Sequence, residues 1–171
     1  MFFNAEAFNA DISGWNTSKV TSFDNMFRGA HSFSADISGW DVGAARAMNQ
    51  MFYDASLFNA DISGWNTSNV MTMESMFFNA SSFNANISGW DVNKVLNMNS
   101  MFAYTLAFDA DITGWISSPT ASFVGMFESA NAWNAAYVNC VIDNTNPVCT
   151  GGPYGSSGSA TSGPSSAWQK I

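Results

Sequence analysis

Residues 1–150 read as six consecutive blocks of 25 residues, opening at Met1, Met26, Met51, Met76, Met101 and Met126. The longest perfect echo, FNADISGWNTS, stands at Phe8 to Ser18 and returns at Phe58 to Ser68. A period this strict belongs to a chain that coils on itself. Each repeat is one turn that cannot bury its own apolar face and must stack on its neighbours.

Aligned on the period, the columns divide into apolar and polar ones. One pair of columns reads Met then Phe, from Met26 and Phe27 through to Met126 and Phe127. Others hold Phe8, Phe33, Phe58, Phe83, Phe108 and then Trp133; Ile12, Ile37, Ile62, Ile87 and Ile112; and Trp15, Trp40, Trp65, Trp90 and Trp115. Smaller columns at Ala10 to Ala110 and at Phe23, Met48, Met73, Met98 and Phe123 fill between them. Stacked, these columns become Phe, Ile, Met and Trp ladders, which is the predicted core.

Spacing within a repeat suggests its shape. Val20, Phe23, Phe27 and Ala30 fall at i, i+3, i+7 and i+10, which predicts a short helix or 3₁₀ turn with one stripe inward. Phe8 to Ser13 is too short and irregular for a helix and reads as a short strand. Gly14, Gly39, Gly64, Gly89 and Gly114 close that strand with a residue that tolerates positive φ. Such strands would pair in parallel from coil to coil at about 4.8 Å per coil.

The line MFxxAxxFNADISGW(N/D)xxxVxxM, from Met1 to about Tyr137, resembles the repeat of the BspA-like leucine-rich-repeat surface proteins. The resemblance implies an α/β solenoid, a leucine-rich-repeat-like right-handed coil of six repeats with short parallel strands and short helical or 3₁₀ turns. It also implies a place on or outside the cell surface, with adhesion toward proteins or glycans of a surface or matrix. The family carries no general catalytic site. On this reading residues 1–150 are the repeat domain, its last repeat acting as a C-terminal cap, and residues 151–171 are a Gly/Ser/Pro-rich tail or linker.

With 5 Lys+Arg against 13 Asp+Glu the chain cannot neutralise a phosphate backbone, which argues against nucleic acid and against anionic membrane surfaces. No run of 18 apolar residues is present to span a bilayer. The opening MFFNAEAFNA lacks the basic start and continuous apolar stretch of a signal peptide, so a secreted chain would be a mature product or a fragment.

Cys140 and Cys149 bracket VIDNTNPV in the sixth repeat, which has Tyr137, Asn139 and Cys140 in place of the usual Ile, Gly and Trp. Two cysteines without basic neighbours do not make a metal site or a reactive thiol; they read as a disulfide or as two free thiols in a degenerate last coil.

Among polar columns, Asp11, Asp36, Asp61 and Asp111 stand out, with Asn86 in the same column. A stack of carboxylates would suit a cation ladder, whereas an Asp/Asn exchange suits hydrogen bonding to a turn, the reading that Asn86 favours. The Trp column offers either a stacking platform for sugars or a corner-filler of the core. Sequons at Asn16, Asn66, Asn79 and Asn86 are candidate N-glycosylation sites in a secreted eukaryotic chain and otherwise accidents of an Asn/Ser-rich repeat. The threonines do not share one column, which argues against a flat ice-binding face. One histidine, His31, and the lack of GxSxG, HExxH or a phosphate loop argue against an enzyme, and nothing implies a cofactor.

The expected function is therefore non-enzymatic adhesion or protein–protein contact at an extracellular or cell-surface location. The alternative is a subunit of an extracellular filament, because the first repeat is near consensus and leaves Met1, Phe2 and Phe8 on an open coil face that a second copy could stack on, with Trp168 as a tail anchor.

Overall fold

A computed structural model describes residues 1–143, 146–149 and 168–170, with side chains described for 1–136. Residues 25 apart lie over one another. Phe2, Phe27, Phe52, Phe77, Phe102 and Phe127 stack with ring centroids 5.5–5.7 Å apart. Beside them Phe8, Phe33, Phe58, Phe83 and Phe108 stack at 5.9–6.0 Å. Within a coil the two columns also meet, as in Phe52 on Phe58 at 3.7 Å. The Ile column, the Met columns from Met48 and Met51 onward and Trp40, Trp65, Trp90 and Trp115 are buried with them in one continuous core. Each fully buried large apolar side chain contributes about 1.5–3 kcal/mol of transfer free energy, so the ladders dominate the stability of the stack.

Most backbone bonds between coils come from one segment per coil, with one further bond per coil from Ser32, Leu57, Ser82 and Ala107 to the carbonyls of Glu6, His31, Ser56 and Ser81. Phe23, Asn25, Phe27 and Gly29 donate their N–H groups to the C=O groups of Ala47, Asn49, Met51 and Tyr53 in the next coil, at 2.7–2.9 Å. The same four bonds recur from Met48, Gln50, Phe52 and Asp54, then from Met73, Ser75, Phe77 and Asn79, then from Met98, Ser100, Phe102 and Tyr104. The intervening N–H groups close tight turns within the coil, as in Met26 to Phe23 O and Ala30 to Phe27 O. Alternate amides can face outward along the stack only if the chain leaves the right-handed helix repeatedly. It does so at two columns of positive φ, one running Asn25, Gln50, Ser75, Ser100, Gly125 and the other Asn4, Gly29, Asp54, Asn79, Tyr104, Ser129.

This architecture overturns the α/β leucine-rich-repeat solenoid expected from the resemblance. No helix forms over Val20 to Ala30: its i, i+3, i+7 spacing is that of successive turns whose amides are spent between coils, whereas a helix would consume them internally. No strand forms over Phe8 to Ser13. Parallel pairing is confined to isolated single-residue bridges in another part of the repeat, Ser22–Ala47, Ala47–Thr72, Thr72–Asn97 and Asn97–Ser122. Around the predicted strand side chains join the coils in place of a backbone ladder: the Oδ1 of Asn9, Asn59 and Asn84 accept from the amides of Ser34, Asn84 and Asp109. Nor do the corner glycines use positive φ; among the described glycines only Gly29 and Gly125 do.

After the coils come the short helix α1 (Asn131–Ala136) and three backbone strands, β1 (Tyr137–Asp143), β2 (Asn146–Cys149) and β3 (Trp168–Lys170), in the antiparallel order β2-β1-β3. Residues 151–167, most of the predicted linker, lie outside the described residues.

Two glycine substitutions separate the observed turns from the predicted ones. Gly29 has φ +70°, and a Cβ there would meet Asn4 Oδ1 at 2.5 Å, so Gly29→Ala should destabilise by about 1–2 kcal/mol. Gly64 has room around it and no positive φ, so Gly64→Ala should be neutral or stabilising by about 0.4–1 kcal/mol. Urea denaturation of both variants checks the order.

Candidate functional site

The Asp column is a row of turn acceptors. Asp11, Asp36, Asp61, Asn86 and Asp111 each accept, through Oδ1, the backbone N–H of the residue two positions on, at 2.9–3.0 Å. Asn86 makes the same bond without charge, so the column needs an oxygen and not a carboxylate. The donated hydrogen bonds from Ser13, Ser38 and Ser63 hold the Asp11, Asp36 and Asp61 carboxyls below the ordinary carboxylate range. A second row repeats the device: Asn16, Asp41, Asn66 and Asp91 accept from Ser18, Gly43, Ser68 and Asn93. Among the described residues no group of three or more His, Cys, Asp or Glu could hold a metal ion.

The four sequons therefore differ. Asn16, Asn66 and Asn86 sit exposed in these turns, whereas Asn79 occupies a left-handed position with its Nδ2 donating to Asp54 Oδ1 at 2.8 Å.

The Trp column faces the core. Trp40, Trp65, Trp90 and Trp115 are 2–3% exposed, and each indole N–H donates to the carbonyl of the Ile 28 residues earlier, at 3.1–3.2 Å. No broad Trp surface is left for a sugar. Trp15, in the first coil, is 40% exposed and Met1 83%, while Phe2 and Phe8 are half-buried against each other at 3.7 Å. A recess of about 230 Å³ opens there between Met1, Trp15, Val20, Phe23 and Met26. Trp168 is not brought to this face by any described contact; its backbone pairs with Asn139. The register of β1 and β2 sets Cys140 opposite Cys149.

The column that sequence reasoning missed lies outside the core. Phe3, Arg28, Tyr53 and Phe78 occupy the same place in successive coils, and Tyr104 follows one residue on. Tyr53 and Phe78 stack at 4.5 Å and 3°, Phe78 meets Tyr104 at 5.2 Å, and the Tyr104 hydroxyl donates to Glu128 Oε1 at 2.8 Å. That bond and the Glu128 charge raise the Tyr104 hydroxyl above its ordinary value. Arg28 enters the same column between Phe3 and Tyr53. His31, nearby in sequence, lies exposed with Nδ1 2.7 Å from the Asp54 carbonyl oxygen. Three aromatic residues at intervals of 25 and 50 were visible in the sequence, but Arg28 and Ala103 interrupt them.

Residues 1–77 and, overlapping them, 57–147 match the model of a family described as Mycoplasma protein of unknown function, DUF285. The chain belongs to this family. Its two matched stretches span the coils from Met1 onward, so the family is defined by the repeat itself. No curated protein and no solved structure matches the chain. Among the described residues no helix is long and apolar enough to cross a membrane.

The depressed carboxyls set a pH dependence. A folded-state pKa below the unfolded one gives stability that is present above the unfolded value, about 3.9, and lost as pH falls through the folded one. The thermal midpoint should hold from neutral pH down to about 4.5 and fall below about 4. A triple Asp11→Asn, Asp36→Asn, Asp61→Asn variant should keep the neutral-pH midpoint, as Asn86 shows the turn permits, and lose part of the acid sensitivity. An unchanged acid profile would remove these carboxyls as its cause.

Proposed function

We propose that the chain is a non-enzymatic repeat protein of a cell surface or extracellular matrix setting, related to the BspA-like surface proteins through its repeat line, that mediates adhesion to proteins or glycans. The strand-based architecture of that family is not part of the proposal. One observation carries it: the inward columns hardly vary from coil to coil, while the outward ones exchange Phe, Arg and Tyr at one place and Thr, Arg, Met and Leu at another, from Thr21 through Arg46 and Met71 to Leu96. A fixed frame with interchangeable exposed side chains suits many weak contacts on one long surface. An acidic chain, with net charge −8, would meet neutral or basic partners by this means and not nucleic acid.

Stacking of a second copy is the alternative, favoured by one feature of the first coil. The carbonyls of Met1, Phe3, Ser22 and Asp24 are the equivalents of those that accept from a preceding coil elsewhere, and none has a donor among the described residues. A coil of the same chain or of another copy would fit them equally. Negative-stain imaging beside Phe2→Asp tests the second: fibres lost in the variant support it, and a wild type monomeric at high concentration removes it.

Adhesion is tested by presenting purified protein to glycan and matrix-protein arrays. Binding to a defined subset, reduced by charge substitution on the outer columns but not by Asp36→Asn, is the expected result. Silence on both arrays would sink it.

A further inference from the structure

We propose that Arg28, clamped between Phe3 and Tyr53, anchors the carboxylate of an acidic sugar; this rests on the glycan-contact reading above and names the class of glycan. The guanidinium carbon lies 4.7 Å from the Tyr53 ring centroid and 5.2 Å from that of Phe3. A cation thus takes the slot that a ring fills in neighbouring coils, held on both faces by aromatic quadrupoles. Clamping fixes the plane of the fork before any ligand arrives, so less rotamer freedom is lost on binding than for a free surface arginine.

The clamp leaves the donors unspent. All five guanidinium N–H groups lie in the plane of the fork, and the two rings contact its carbon at 4.7 and 5.2 Å without taking those donors. Among the described residues the Arg28 side chain makes no hydrogen bond or ion pair, although Asp and Glu outnumber Lys and Arg by 13 to 5. A planar, half-buried fork with free in-plane donors matches a planar carboxylate, which can take two parallel hydrogen bonds from it.

The surroundings narrow the rest of the ligand. Because Tyr53 and Phe78 stack face to face at 4.5 Å, the column above Arg28 offers ring edges there, while Phe3, 51% exposed, ends it below. Ring edges carry the positive rim of the quadrupole and suit oxygen atoms better than the C–H face of a sugar. Beside Tyr53 and Phe78 a sugar therefore meets ring edges and the Arg28 fork, which favours a polar anchor. The net charge of −8 repels polyanions, so the fitting ligand carries one carboxylate on an otherwise neutral, oxygen-rich body.

The test titrates the full chain with a glucuronic-acid-terminated disaccharide, its methyl ester, and an acetylated peptide ending in a free carboxylate, at low salt. The acid should bind at least about tenfold more tightly than the ester, a charge-assisted pair of hydrogen bonds being lost in the latter. Arg28→Gln should bring binding of the acid down to that of the ester, and Arg28→Lys, which keeps the charge without the planar fork, should retain only part of the difference. An unaltered near-UV circular dichroism spectrum confirms that the ring column survives in both variants. Equal binding of acid and ester, wild-type affinity in Arg28→Gln, or a preference for the peptide would overturn the anchor while leaving glycan contact elsewhere on the surface intact. Silence toward every saccharide on the arrays would overturn both.

Discussion

Each coil is tied to the next chiefly by alternate amides of one short segment, and most of the molecule follows from that constraint. An amide that donates along the stack cannot also donate within a helix. The chain therefore alternates, one N–H to the next coil and one into its own turn, and it needs a left-handed residue twice per repeat to do so. Once this segment sets the register, every side chain meets its counterpart 25 residues away. Phe meets Phe and Trp meets Trp, which is why one residue type can occupy a core column from end to end.

Away from that segment the coils are joined mainly by side chains. Asn9, Asn59 and Asn84 accept from amides of the next coil, and the Trp indoles donate to Ile carbonyls. Thr17 and Thr67, both buried, donate to the carbonyls of Asp41 and Asp91. These bonds satisfy backbone groups where no backbone ladder joins the coils. The outer columns carry no such duty. They are free to vary, and the column from Phe3 to Tyr104 shows how far they do.

The period, the core columns and the turn role of the Asp column were legible in the sequence, because burial and Asx hydrogen bonding leave residue-type signatures at fixed intervals. The local conformation was not. Phe23, Phe27 and Ala30 have helix-like spacing since three successive tight turns return the chain to one face almost as a helix does. The left-handed positions were half visible: Asn4, Gly29, Asp54 and Asn79 are residue types that accept positive φ, but Tyr104 in the same column and Gln50, Ser75 and Ser100 in the other are not strong signals. Phe8 to Ser13, too short and irregular for a helix, reads as a strand that these residues do not form. The outer ring column has a weak signature because Arg28 and Ala103 interrupt its aromatic residues.

The central claim is that the coils are joined through the segment after Ser22 and its equivalents and not through strands after Phe8. Residue-resolved hydrogen exchange by NMR on the intact chain tests it most directly. The amides of Phe52, Asp54, Phe77 and Asn79 donate between coils and should be among the slowest to exchange. Those of Ala60, Asp61, Ala85 and Asn86 have no acceptor among the described residues and should exchange orders of magnitude faster. Equal protection of the two groups would show a strand ladder where none is described here and would contradict the account.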